Sequence, residues 1–207
     1  MRREGNRLAT DQRELIAMSV STVVRAQTQV DNQMHYAGTV CDGYEVEEAV
    51  DLRQVFADVR QDLMAQFEDA EARIFLDELP VIFASSAQAR VLCQNLVSNA
   101  IKYRHPDVPP VVHVTSEIDA SAKQIRLHVT DNGMGIDPRY HKRIFEMFKR
   151  LHRHDQIPGS GLGLSALLRV ARNLDGDLSV SSEPRIGSTF SLCLPVERTN
   201  SWPKLAA

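Results

Sequence analysis

From about Asp11 to Val40 the apolar residues Ile16, Val20, Val23, Val30 and Met34, with Gln27 among them, are spaced 4, 3, 4, 3, 4. No proline or internal glycine interrupts the run before Gly38. This is a heptad seam, with Arg25, Gln29 and Asp31 outside it, and it predicts one long N-terminal helix. A single stripe cannot bury itself. It must pack on another helix, in this chain or in a second copy, or fold back on its own globular domain. Gln27 weakens the seam, although one polar residue at such a position can also fix register. Gly38 to Glu48 reads as a linker, and Val50-Asp51-Leu52 opens a second helix to about Phe67, with Val55, Val59, Leu63 and Phe67 four apart.

The period then changes. Residues 72–77 (ARIFLD) and 81–84 read as strands, with Pro80 between them. Ser85 and Ser86 can cap a helix running from about Ala87 to Tyr103, with Val91, Leu92, Leu96, Val97 and Ile101 on its buried face. Residues 111–118 and 124–130 read as strands, and Pro138–Phe148 as a short helix. A glycine-rich loop, a helix at 164–173 and closing strands at 177–182 and 188–194 follow. Helices interleaved with hairpin-joined strands predict an α+β fold, a two-layer α/β sandwich with a mixed sheet covered on one face by helices.

Composition narrows the classes. Hydrophobic residues make up 43% and charged residues 25% of the 207, as in a soluble globular protein. The balance of 24 basic against 27 acidic residues, −3, gives no general attraction to nucleic acid or anionic membrane. Cys41, Cys93 and Cys193 lie far apart, which argues for reduced thiols and against a disulfide framework or a zinc site. The charged start, Met1-Arg2-Arg3-Glu4-Gly5, does not read as a signal peptide, and no apolar run reaches the ~18 residues of a membrane span. The expected location is the cytoplasm.

Four short motifs carry chemistry. On the helix near 87–103, Asn95 and Asn99 lie one turn apart with Lys102 along the same side. Two neutral oxygen donors beside a cation suit a magnesium ion bridging phosphate oxygens, but they also suit a merely exposed polar face. Asp131-Asn132-Gly133-Met134-Gly135 ends an apolar strand. There a carboxylate can accept a hydrogen bond from an exocyclic amine, while Gly133 and Gly135 let backbone approach a flat base; a tight turn has the same composition. In Ile144-Phe145-Glu146-Met147-Phe148-Lys149-Arg150 the two phenylalanines would anchor a short amphipathic helix, and Arg150 could reach a terminal phosphate. Gly159-Ser160-Gly161-Leu162-Gly163-Leu164-Ser165 opens a helix whose N-terminal amides and dipole favour anions. It lacks the glycine at Leu164 that a dinucleotide fingerprint needs and the Gly-Lys-Ser/Thr of a P-loop.

In this order the four motifs resemble those of the ATP-binding domain shared by histidine kinases, DNA gyrase B and other type II topoisomerases, Hsp90 and MutL, over roughly Val50 to Val196. The resemblance implies a Bergerat-type ATP-binding fold with ATP and Mg2+ as cofactors. By this likeness Asp131 holds the adenine amine, Asn95 and Asn99 serve magnesium, Lys102 and Arg150 contact phosphates, and Gly159, Gly161 and Gly163 wrap the triphosphate. Tyr103, Gly133, Gly135, Ser160 and Leu162 complete the nucleotide site, Asn95, Lys102 and Arg150 form its catalytic set, and residues 151–158 form a short ATP lid. Gly187-Ser188-Thr189-Phe190 looks like the family's closing strand, with Arg185 where a glycine is common. Hydrolysing members usually carry Glu where this chain has Asn95, whose amide cannot take a proton, so phosphoryl transfer is favoured over hydrolysis. The stretch around Arg150-Leu151-His152 is most similar to phytochrome-like sensor kinases.

The domains expected are a dimerisation segment and linker at 1–48, an ATP-binding catalytic domain at 49–198 and a flexible tail at 199–207. In such kinases a helical hairpin carries the phosphorylated histidine, and the 11–40 helix resembles its second helix. None of the seven histidines fits the acceptor pattern: His154 comes nearest but its proline, Pro158, is one residue early, and His35 is followed by Tyr36. His105, His113, His128, His141 and His152 read as structural or surface residues. The implied partners are a second copy through the N-terminal helix, and a response-regulator receiver or a separate histidine-bearing protein. Three readings stay open: a catalytic part of a larger kinase, a short kinase acting on another protein, and a non-catalytic ATP-binding interaction module.

Overall fold

The structure is a computed structural model that describes residues 47–119, 121–151, 157 and 160–198. The heptad segment, His35, Cys41, His152, His154, Gly159 and the tail at 199–207 lie outside the described residues.

Residues 48–51, expected to end the linker and open a helix, instead form strand β1 (Glu48–Asp51), which pairs antiparallel with β3 (Val81–Ala84) in a small separate sheet. Asp51 then caps helix α1 (Leu52–Asp62): its carboxylate accepts the amides of Arg53 at 2.8 Å and Gln54 at 3.4 Å. Two of the donors orphaned at a helix start are thereby satisfied. The expected single helix to Phe67 is instead broken at Leu63 (φ −95°, ψ 13°), and α2 (Met64–Asp69) restarts after it. The reason lies in the spacing. Four residues advance an α-helix by about 400°, so a strict period of four drifts about 40° per step. A continuous helix would carry Phe67 away from the core; with the break, Phe67 is buried together with Leu63 and with Val59, which lies in α1 ahead of it.

Helix α3 (Ser86–Lys102) starts one residue before expected, with Ser85 Oγ accepting the Gln88 amide at 3.5 Å. Strands β2 (Arg73–Leu76), β4 (Val111–Asp119), β5 (Gln124–Asp131), β6 (Asp177–Glu183) and β7 (Gly187–Pro195) form a five-stranded sheet in the order β2-β4-β5-β7-β6. Only the β2–β4 pair is parallel, so the sheet is mixed, as expected. Helices α1, α3 and α4 (Gly163–Asn173) supply the buried residues Phe56, Leu92, Val97, Leu167 and Val170, and the sheet supplies Val112, Val114, Leu127, Val129 and Leu192 to the same core. The other face of β4 and β5 carries His113, Thr115, Arg126 and His128. This strict alternation gives a sheet covered on one side, and the two-layer sandwich follows.

The stretch 138–148 corrects two expectations. It forms two 3-10 turns, Pro138–Tyr140 and Arg143–Phe145, in place of one helix, and the chain becomes extended at Glu146 (ψ 141°). Phe148 therefore never reaches the core: it is 59% exposed, and Ile144, with half-buried Phe145, provides the anchor. Cys93 is buried and Cys193 partly buried, both as free thiols; burial pushes the Cys93 thiol far up. Among the described residues no helix is long and apolar enough to cross a membrane.

Candidate functional site

The C-terminal half of α3, the loop after β5 and the N-terminus of α4 enclose a cleft of about 240 Å³. Helical spacing explains the first wall. Asn95, Ser98, Asn99 and Lys102 recur at i, i+3, i+4 and i+7 and face the cleft, while Leu92, Leu96, Val97 and Ile101 face the core. The Asn95 amide nitrogen donates to the Val91 carbonyl at 2.8 Å, which leaves its oxygen as the group presented beyond the helix. A methyl added at Gly163 would lie 2.6 Å from that oxygen, so the first residue of α4 closes directly onto Asn95.

The second wall begins where β5 ends. Asp131 Oδ1 accepts the Gly133 amide at 2.8 Å. Burial pushes the Asp131 carboxyl above the usual carboxylate range, with the Gly133 and Ser188 amides pulling the other way. The loop is fixed from both sides. Met134 N–H donates to the Tyr103 carbonyl at 2.9 Å, Met134 O accepts the Arg185 amide at 2.7 Å, and Ile136 N–H donates to Ser182 Oγ at 2.8 Å. Gly135 sits at φ 67°, and a side chain there would lie 2.0 Å from the Glu183 carbonyl oxygen, so this position requires glycine. Asn132 is a brace: it accepts the Val111 amide at 2.8 Å and donates to the Pro109 carbonyl at 3.0 Å.

Helix α4 starts without a side-chain cap at Leu162, and Gly163 and Leu164 face the cleft, so its first amides open toward it. Gly161 (φ 74°) accepts the Phe148 amide at 3.0 Å, which draws the 148–150 segment to the glycine loop. Arg150 donates to the Ile157 carbonyl. Burial lowers the Lys102 ammonium, and the nearby Arg150 charge lowers it further. The Tyr103 hydroxyl is raised by burial, partly offset by Arg150; its ring lies 4.9 Å from Lys102 Nζ.

Of the residues singled out by sequence, Asn95, Asn99, Lys102, Tyr103, Asp131, Gly135, Arg150, Ser160, Gly161 and Gly163 line this one cleft. Gly133 and Leu162 lie buried behind its wall, and Gly159 is outside the described residues. Sequence reading missed Ile136, Ile144 and Phe190, which give the cleft apolar surface, and the cations Arg143 and Lys149. It also missed Ser188, which stands opposite Asp131 in the β5–β7 ladder. Its signal was register, and register is visible only once the strands pair.

Over residues 84–198 the chain matches the family described as "Histidine kinase-, DNA gyrase B-, and HSP90-like ATPase". It is 33% identical to Cyanobacterial phytochrome A of Nostoc sp., over 92% of this chain and 24% of that protein. It is 31% identical to Phytochrome-like protein Cph1 of Synechocystis sp., over 91% and 25% respectively. The chain thus spans about a quarter of the length of these relatives. The mycobacterial sensor histidine kinase MprB superposes with a TM-score of 0.60 and 27% identity, over 72% of this chain and 97% of that one. ShkA, crystallised full-length with AMPPNP, shares the fold with a TM-score of 0.72 at 24% identity, over 98% of this chain and 42% of that one. The likeness to phytochrome-like kinases expected from sequence is borne out, and the chain belongs to the histidine kinase-, DNA gyrase B- and HSP90-like ATPase family, as an ATP-binding catalytic domain of the histidine-kinase type.

Proposed function

We propose that this cleft binds Mg-ATP and delivers its γ-phosphoryl group to a histidine located outside this chain. The observation that carries the reading is the wall's composition. Among its described residues Asp131 is the sole carboxylate, whereas the Asn95 and Asn99 amides, four cations, the hydroxyls of Ser98, Tyr103, Ser160 and Ser188 and the start of α4 form the rest of its polar surface. Asp131 shares the cleft lining with Ile136 and Phe190 and opens the 131–135 loop with its glycines, which suits an exocyclic amine of adenine. The position where a hydrolase needs a base holds Asn95, whose nitrogen is committed to Val91 and whose oxygen is a feeble base.

The residues present fit magnesium held in part by nucleotide. Among the described residues no group of three His, Cys, Asp or Glu side chains gathers into a cage. Magnesium typically takes only one or two protein oxygens, with phosphates and water as the remainder, and the Asn95 and Asn99 carboxamides are of that kind. When bound, the ion would neutralise charge on the phosphate oxygens. The chain's own part is positioning: Lys102 and Arg150 balance phosphate charge, the α4 amides and Gly161 hold the tail, and Asp131 fixes the base. No protein nucleophile is required.

For partners, we propose a homodimer through the segment bearing the heptads at 16–34, and a histidine-bearing helix followed by a response-regulator receiver as phosphoryl acceptors. The heptad spacing supports the first and the family supports the second. The domain limits 1–48, 49–198 and 199–207 and a cytoplasmic location are proposed on the same footing.

The test is calorimetry with ATP, with and without magnesium, followed by γ-labelled phosphate transfer on the same sample and with an added histidine-bearing dimerisation domain. Magnesium-dependent binding with acid-labile label on the added domain is expected. Release of inorganic phosphate without protein label would make the chain a hydrolase, and no binding at all would remove the nucleotide site.

A further inference from the structure

The polar balance of the cleft exceeds what the two expected phosphate contacts explain. Its described wall carries four cations, Lys102, Arg143, Lys149 and Arg150, against the single carboxylate of Asp131. The excess is local, because the chain as a whole carries −3. Lys102 is already lowered by burial and by Arg150, so positive charge crowds this wall. Arg143 opens a 3-10 turn whose next residue, Ile144, is 8% exposed and packed in the core, so its backbone is fixed where the side chain meets the cleft. Lys149 lies in the segment that Gly161 holds through Phe148. Neither the Arg143 nor the Lys149 side chain makes a hydrogen bond or ion pair with another described residue. Such neighbouring cations repel one another until an anion lies among them.

We propose that Arg143 and Lys149 are two further nucleotide-binding residues, holding negative charge of the polyphosphate tail beyond that held by Lys102 and Arg150. The inference rests on the Mg-ATP reading of the cleft and adds to it a basis for preferring a triphosphate over a nucleoside. Arg143 acts from a rigid turn as a planar fork, and Lys149 as a point charge on a longer tether. Both are exposed, so their contribution is screened by salt and modest singly.

The test is calorimetry of the full chain and of Arg143→Gln, Lys149→Gln and the double variant, with Mg-ATP and with adenosine, at low and high salt. Each single substitution is expected to weaken Mg-ATP about two- to fivefold at low salt. The loss should shrink at high salt, be larger in the double variant and leave adenosine unchanged, and Arg143→Lys should recover part of it. A double variant that binds Mg-ATP like the parent overturns the proposal and leaves the Mg-ATP reading standing. Equal weakening of Mg-ATP and adenosine overturns it as well, since it would show damage to the fold. A parent chain that binds neither ligand overturns both.

Discussion

Asn95 and Gly163 meet across the cleft: the Asn95 oxygen, turned outward by the 2.8 Å bond from its amide to Val91, occupies space that any side chain at position 163 would need. One glycine thereby joins α3, which carries Asn95, Ser98, Asn99 and Lys102 on the cleft, to the start of α4.

Gly163→Ala should therefore weaken Mg-ATP binding by about tenfold or more, because the added methyl displaces an amide rather than a flexible apolar tip. Calorimetry measures the affinity, and a thermal melt close to the parent's separates this from unfolding. Parent-like affinity would show that the contact does not shape the site.

Asn99→Ala should reduce the magnesium dependence of ATP binding. The measurement is the ratio of affinities with and without magnesium, and an unchanged ratio removes Asn99 from the ion's surroundings.

Asp131 gives a pH prediction. Its carboxyl is held above the usual range by burial, so between the unfolded and folded values the native state binds more protons than the unfolded chain. Stability should fall as pH rises through that window, and Asp131→Asn should abolish the fall. Nucleotide binding should run the opposite way. If the ionised carboxylate accepts the adenine amine, affinity weakens on acidification, beginning above the pH at which an ordinary carboxylate titrates. In Asp131→Asn the affinity should become flat with pH and the preference for ATP over GTP should decline. Parallel pH profiles for parent and variant would remove the assignment.

Arg185 occupies φ 68° while its amide holds Met134, so a residue with a β-carbon sits where glycine is unstrained. Arg185→Gly should leave that hydrogen bond intact and stabilise the domain by about 1 kcal/mol in urea denaturation. The companion substitution Gly135→Ala should destabilise by about 2 kcal/mol or more, since it adds a clash with the Glu183 carbonyl to the backbone strain. Equal stability in the second case would mean that the loop can move aside.

Local chemistry determined much of this protein from the sequence alone. Ser85 and Asp131-x-Gly-x-Gly act within a few residues of themselves, the alternation in β4 and β5 follows from a period of two, and the polar stripe Asn95, Asn99, Lys102 follows from the α-helix period. Those signals were enough for the two-layer fold, the order of most of its elements and most of the cleft, but not for strand β1, which lies where the linker's end and a helix start were expected. Tertiary structure decided the rest. The stripe from Val55 to Phe67 looks continuous, but the helix breaks at Leu63 because the core lies on one side only. Phe148 looks like an anchor until the chain leaves the 3-10 turn at Glu146, and burial passes to Ile144. Ser188 reaches Asp131 only through the β5–β7 register, and Arg143 and Lys149 join the wall only when the 3-10 turn and the glycine loop close around it. Periodicity specifies which face of an element is buried; which faces then meet depends on contacts between residues far apart in the chain.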